Sequence, residues 1–461
     1  MAGHGLRDRE KPRRSHNNSR EPALPSTRQE IMNGHNEKRR PKGPVRVKSA
    51  GESGRRGLHP LHFFRIIWRS SSHLSLIVNF LWPFVPAALA CYWALPEEGH
   101  AVIKFSLAYI AMVPCANLIG FAGQELARKM PHMAGVLTET TVGSIVEIIL
   151  FMVLLKRSQF YVIRAAILGS ILATMLLCLG ACFFASGIKR ESATFDSAIS
   201  EIGTGLLLMA GLGLAIPTIF QYSIQNTEFE LTSQQIDDKT VNVSRAIAIL
   251  LLLSYCVYVW FQMHTHHGLY DAIFKEDEHR DEDGHKDLAK DKLTLTECVI
   301  ALAISVALVA LLAIALVTQI EPIVQNHGIS DPFMGLILVP LVEKAAEHLT
   351  AVDEAWDNQM NLALSHCIGG TIQTAMLNTP LVIIVAWGLQ KPMDLSFEIF
   401  DIAMLLLAII TVGNYLRDQK SDYLEGFLCI ITYIAIAVAA FFFPTPPEAL
   451  IHSAAGGSGH E

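Results

Sequence analysis

Charge is what this sequence has little of. Only 17% of its 461 residues are Asp, Glu, Lys or Arg, against 51% apolar, where a soluble domain carries about 25% charge. That scarcity excludes a string of ordinary soluble domains and disorder over the whole length, and points to an integral membrane protein. Cysteine, at eight in 461 residues, is in ordinary use. Of eight Cys, six (Cys91, Cys115, Cys178, Cys182, Cys256 and Cys429) lie inside apolar runs, so no disulfide framework of the secreted kind follows. There is no H-E-x-x-H, no G-x-S-x-G and no glycine-rich phosphate loop, so a membrane protease or hydrolase lacks its chemistry. No enzyme activity, soluble cofactor or nucleic-acid partner is implied. No apolar run falls within the first 30 residues or so, where a signal peptide needs one; the first begins near Leu74.

The charge that is present is unevenly placed. From Met1 to Arg69, 17 Lys or Arg stand against six Asp or Glu, with few aliphatic residues before Arg56. Residues 1–73 are therefore expected to form a disordered basic arm, since so little apolar surface cannot offset the entropy of ordering. Beyond it, apolar segments long enough to cross ~30 Å of hydrocarbon as helices recur at 74–95, 101–122, 134–155, 161–186, 200–220, 241–263, 296–318, 333–352, 361–389, 397–414 and 423–443. The expected fold is an all-α membrane protein of about eleven transmembrane helices. The Lys/Arg bias of the arm places the N-terminus in the cytosol. An acidic loop, 264–295, separates two halves, 101–263 and 296–444; a short tail, 445–461, follows. That loop holds clustered carboxylates and several His, and reads most simply as a charged solvated linker.

Shifting the chain by 200 positions superposes Val142 on Val342, Glu147 on Glu347, Gln159 on Gln359, Gly169 on Gly369, Thr174 on Thr374 and Leu177 on Leu377. Five helices separate the copies, so they enter the membrane in opposite directions. This is the inverted repeat of secondary transporters, here one extra helix (74–95) before a 5+5 core. An ionised carboxylate at mid-bilayer costs at least ~2.5 kcal/mol, yet the copies place Glu147, Glu343 and Glu347 inside their helices. A symmetry-related carboxylate pair offers hard oxygen ligands to a hard cation and can trade that cation for protons.

At these residues the sequence resembles the cation/proton exchanger (CAX) family of the Ca²⁺/cation antiporter superfamily. The first-half family pattern is met by Gln124-Glu125-Leu126-Ala127 and Gly143-Ser144-Ile145-Val146-Glu147, and the second-half pattern by Pro340-Leu341-Val342-Glu343-Lys344-Ala345-Ala346-Glu347-His348. Gly369-Gly370-Thr371-Ile372-Gln373 matches the downstream helix. The resemblance implies a secondary-active antiporter carrying cytosolic Ca²⁺ into an acidic vacuole in exchange for protons, in the vacuolar membrane. It implies metal ligation by Glu147, Glu347, Glu343, Ser144 and Gln373, with the lipid bilayer, the transported cation and protons as partners.

The departures concern selectivity. Ser144 and Lys344 stand where the family has Asn, and Thr174 replaces a third amide. Adding Glu343 and Lys344 together leaves the site's formal charge at −2. Two readings stay open. Lys344 either pairs with Glu343 as a fixed bridge, leaving Glu147 and Glu347 to a divalent cation, or occupies part of the cation position, so that a monovalent ion (Na⁺/K⁺) or no ion at all is carried; the departures at Ser144, Lys344 and Glu343 together also leave Mn²⁺/H⁺ exchange as an alternative. His348, Lys344, Glu139 and Thr174 are expected in proton coupling or selectivity, with Glu139 at the cytosolic start of an ion path.

Overall fold

Caps fix where the helices begin in this computed structural model, which describes residues 54–69, 73–96, 99–226, 232–281 and 290–444. Thr232 with Gln235, and Thr294 with Glu297, form capping boxes, while Asp196 and Asp422 accept first-turn N–H groups. Among the described residues nine helices are long and apolar enough to cross a membrane: Ser75–Ala94, Ala101–Ala127, Ala134–Lys156, Phe160–Lys189, Ser197–Gln225, Ser233–Thr265, Leu295–Asn326, Met360–Gly388 and Tyr423–Phe442. The other two of the eleven expected spans take different forms. Apolar Ile399–Tyr415 is shorter, and the span expected at 333–352 is a series of short pieces, Met334–Leu338, Val339–Glu343 and Ala345–Trp356. Among the described residues one antiparallel pairing, β1 (Ala193–Thr194) with β2 (Lys420–Ser421), ties two loops together.

The backbone repeats itself at the 200-residue offset. Helices α1 (His132–Gly143) and α2 (Ile145–Lys156) are separated by Ser144 at φ −73°, ψ −2°. In the second half α4 (Val339–Glu343) and α5 (Ala345–Trp356) are separated by Lys344 at φ −93°, ψ −3°. Ser158 and Asn358 follow with φ of 59° and 72°. The next helices, α3 (Phe160–Lys189) and α6 (Met360–Gly388), each carry a π-helical segment, Ala173–Cys178 and Thr374–Asn378. Such segments mark functional positions in helices.

Packing is reciprocal between the halves. Tyr423–Phe442 lies against the second half of α3, and Ser233–Trp260 against the second half of α6, while Leu295–Thr318 runs along Ala101–Ala127. α3 and α6 form the buried centre, with 83% and 72% of their apolar windows inside, against 17% for Ser233–Thr265. The latter turns Leu253, Val257 and Trp260 outward, as a lipid-facing helix does. Gly169 lets α3 approach Met334–Leu338: a Cβ there would stand 2.2 Å from the Leu336 carbonyl oxygen.

Two expectations are corrected. The basic arm is helical over Pro60–Arg69 rather than unstructured to residue 73. Phe63 and Ile66 bury against Leu118, Phe121 and Cys298, Arg55 Nη2 donates to the Lys292 carbonyl and His59 N donates to Glu297. The arm before residue 54, the middle of the acidic loop and the tail from 445 lie outside the described residues. The start of the acidic loop is not a solvated linker either. His267–Arg280 is a helix, and buried Asp277 accepts Asn361 Nδ2 at 2.8 Å and Leu362 N at 2.9 Å. Burial pushes the Asp277 carboxyl above the usual carboxylate range, although these bonds pull the other way. His264 and His266 stack on Trp260 and Phe261.

Candidate functional site

The two helix interruptions meet at the centre of the bundle. Each places a glutamate in the first turn of the helix that follows, Glu147 in α2 and Glu347 in α5, where the helix dipole favours negative charge. Between them stands Lys344, whose Nζ lies 2.8 Å from Glu147 Oε2 and 3.1 Å from Glu347 Oε2. The side chains of Lys344 and Glu147 are each 1% exposed and that of Glu347 20%. The symmetry-related carboxylates thus converge, joined by one ammonium. Of the two readings of Lys344, the bridge to Glu343 is not the one formed. Glu343 turns instead to Ser170, which donates its hydroxyl to Oε1.

Glu147 collects further donors from α6. Its Oε2 accepts Thr374 Oγ1 and Asn378 Nδ2, both at 2.9 Å, from the π-helical segment. Its Oε1 is buried without a hydrogen-bond partner, as are Glu343 Oε2 and Asn378 Oδ1. Buried polar atoms are rarely left so, and these three orphaned oxygens are donors of the type a hard cation takes. Gly143 makes room on the opposite wall, since a Cβ there would lie 2.6 Å from Glu347 Oε1. Its repeat mate is Glu343, so one half supplies space where the other supplies charge.

The remaining expected residues divide. Gln373 Nε2 donates to Ser144 Oγ at 2.9 Å, and Ser144 donates to the Thr141 carbonyl, so these two bond to each other and hold α6 against the α1–α2 break. Thr174 pairs with His348 Nε2 at 3.4 Å rather than with a carboxylate. Glu139 stands apart from the centre but lines the same partly enclosed cleft, of about 470 Å³ including the solvent at its mouth, together with Gly143, Glu343, Glu347 and His366. Asn378 escaped the sequence reading because its repeat mate is Cys178, and His366 because it sits singly in an apolar run.

A family model described as "Sodium/calcium exchanger protein" matches residues 100–264 and 298–442. Vacuolar cation/proton exchanger 2 of Arabidopsis thaliana is 31% identical over 80% of this chain and 82% of its own length. The vacuolar calcium ion transporter of Schizosaccharomyces pombe is 31% identical over 80% and 86%, and the Ca²⁺/H⁺ antiporter of Aphanothece halophytica 31% over 79% and 96%. Among solved structures, YfkE superposes with a TM-score of 0.63 at 23% identity, over 79% of this chain and all of its own. The H⁺/Ca²⁺ exchanger CAX superposes at 0.57 with 13% identity, over 83% and 91%. These two share the fold of this chain. The chain belongs to the sodium/calcium exchanger protein family, in its cation/proton exchanger group.

Proposed function

We propose that this protein is a secondary-active cation/proton antiporter that moves Ca²⁺ from the cytosol into an acidic vacuole, with its N-terminus in the cytosol. The observation that carries the reading is the buried convergence of Glu147 and Glu347 on one ammonium, with unpaired oxygens of Glu147, Glu343 and Asn378 beside it. Three carboxylates and one ammonium sum to −2 when all are ionised, which one divalent cation or two protons cancel. Cation and protons then exclude one another from the same oxygens, and alternating access makes that competition antiport. The vacuolar relatives support Ca²⁺ as cargo. The cation is substrate rather than a resident cofactor.

A second reading rests on Lys344. Its ammonium already fills the space between the paired carboxylates, so a site that keeps it in place offers Glu343 and Asn378 to a monovalent ion or Mn²⁺. Proton-coupled uptake into proteoliposomes with an inside-acid gradient separates the readings, with Ca²⁺, Mn²⁺, Na⁺ and K⁺ offered in turn. Ca²⁺ uptake that collapses with a protonophore, and is lost in Glu147→Gln and Glu347→Gln, is expected. Uptake indifferent to the protonophore would identify a channel, and full activity in either variant would refute the site.

A further inference from the structure

Outside the central carboxylates, the cleft carries a second group of ligand atoms. His366 in α6, Glu354 near the end of α5 and Glu139 in α1 bring one ligand atom each to within 4.8 Å of one another. Glu354 Oε2 lies 2.7 Å from His366 Nδ1, which fixes the ring; in the tautomer whose Nδ1–H donates to Glu354, Nε2 carries the lone pair. His366 is 8% exposed, and Nε2 is buried without a hydrogen-bond partner. It points toward Glu139 Oε1 at 3.8 Å, too long for a hydrogen bond.

That separation suits a bridging cation. A metal about 2.1 Å from both a histidine nitrogen and a carboxylate oxygen would subtend about 130° at 3.8 Å, and closure by about 0.4 Å reaches the tetrahedral value. A carboxylate on the far ring nitrogen is the arrangement that orients metal-bound histidines. We propose that His366 Nε2 and Glu139 Oε1, oriented by Glu354, form a second cation site in the cleft, separate from the Glu147–Lys344–Glu347 centre. An imidazole ligand suits a borderline cation such as Zn²⁺, whereas Ca²⁺ takes oxygen ligands. The repeat mates of these residues are Ala166, Val339 and Leu154, so only one of the two pseudo-symmetric positions carries such a site. Both groups line the one cleft with Glu343 and Glu347, which makes the site a station beside the transport centre.

The test uses the full-length chain purified in detergent and carrying Glu147→Gln and Glu347→Gln, so that the transport centre is disabled. Zn²⁺ is titrated against a chelator buffer, and X-ray absorption of the bound metal reads imidazole ligation. In this background we expect a Zn²⁺ site with an imidazole signature that excess Ca²⁺ does not displace. Adding His366→Asn or, separately, Glu139→Gln lowers the bound Zn²⁺ by one per chain or weakens that site at least about tenfold. The Glu139 variant leaves the His366–Glu354 bond intact and so tests the site without disturbing the fold. Unchanged Zn²⁺ stoichiometry and affinity in both variants, or Zn²⁺ displaced by Ca²⁺, would overturn the proposal. Loss of exchange in the Glu147 and Glu347 variants bears only on the transport centre.

Discussion

Replacing Lys344 with Met removes the positive charge that stands between two buried carboxylates, Glu147 and Glu343, and the partly exposed Glu347, while keeping much of its volume. Lys344 contacts Glu147 at 2.8 Å and Glu347 at 3.1 Å, and among the described residues no second cation pairs with either oxygen. Removing one partner of a buried ion pair costs about 3–5 kcal/mol, because the other charge is left uncompensated. With unfolding entropy of about 2.1 cal/mol/K per residue, a chain of 461 residues turns that into a fall of at least about 3–5 °C in thermal midpoint. The shift is larger if helices persist in the unfolded state. The loss should be recovered by a cation that takes the place of the ammonium: Ca²⁺ at 100 times its Kd contributes about 2.7 kcal/mol. Acid should narrow the gap too, since protonated carboxylates no longer repel. Thermal unfolding of the purified protein at pH 7.5 and 5.5, with and without Ca²⁺, measures all three effects. A Lys344→Met midpoint equal to wild type at pH 7.5, or one that Ca²⁺ leaves unmoved, would refute the reasoning. In transport, Lys344→Asn that leaves the ion preference unaltered would show that this lysine does not set it.

Gly143→Ala places a methyl 2.6 Å from Glu347 Oε1. The flexible carboxylate must yield, so exchange should fall steeply, about 10²-fold for a displacement near 1 Å, while stability drops by no more than about 1–3 kcal/mol; normal exchange would show that Glu347 need not sit where it does. Asn378→Leu removes both a donor to Glu147 and an orphaned carbonyl, whereas Thr374→Val removes a donor alone. Hydrogen bonds to charged groups are worth about 1.5–3 kcal/mol, so the cation KM should rise in both variants and further in Asn378→Leu; equal rises would mean that the Asn378 carbonyl does not ligate. Asp277→Asn tests the loop helix. The buried carboxyl holds its proton more tightly than an unfolded Asp does, so its stabilising contribution is complete below about pH 3.9 and is lost as pH rises through the raised folded value. The stability of Asp277→Asn relative to wild type should therefore increase from pH 4.5 to 7.5, and a decrease in the thermal midpoint difference over that range would contradict it.

Most of the frame was legible in the sequence because apolar length is a direct demand of the bilayer. The nine long apolar helices, the 200-residue echo and the intramembrane Glu147, Glu343 and Glu347 all come from that demand and from what breaks it. Less legible was anything settled by where a long side chain turns. Lys344 and Glu343 are adjacent in sequence, and pairing them was a natural reading. One interrupted residue in the helix instead sends the ammonium to the carboxylates of both halves, and Glu343 to Ser170. Ser144 and Gln373 matched ligand positions in the family pattern, yet a hydroxyl and an amide 229 residues apart satisfy each other. The helix Pro60–Arg69 was missed because seven basic charges among nearby residues outweighed the Phe63 and Ile66 pair that docks it.

The halves repeat their backbone more faithfully than their chemistry, and the difference bears on how the exchanger rests. Of the positions that correspond at the centre, Glu147 with Glu347 and Thr174 with Thr374 are identical, whereas Gly143 corresponds to Glu343, Ser144 to Lys344, Ser170 to Gly370 and Cys178 to Asn378. In a perfect inverted repeat the inward-open and outward-open states are mirror images of equal energy, reached when the two halves exchange conformations. Every unlike pair lifts that degeneracy. Lys344, Thr374 and Asn378 all direct donors to Glu147, so Glu147 is held by three contacts from the second half and, among the described residues, Glu347 by the lysine alone. Glu147 is therefore the more tightly held member of the pair, and Glu347, 20% exposed, lines the cleft that Glu139 and His366 also line; on the proposed reading Glu347 releases its share of the ammonium first when a cation arrives. Such bias sets which state is populated at rest and the order in which ligands change places. It cannot alter the exchange equilibrium itself, which the gradients of cation and proton alone determine.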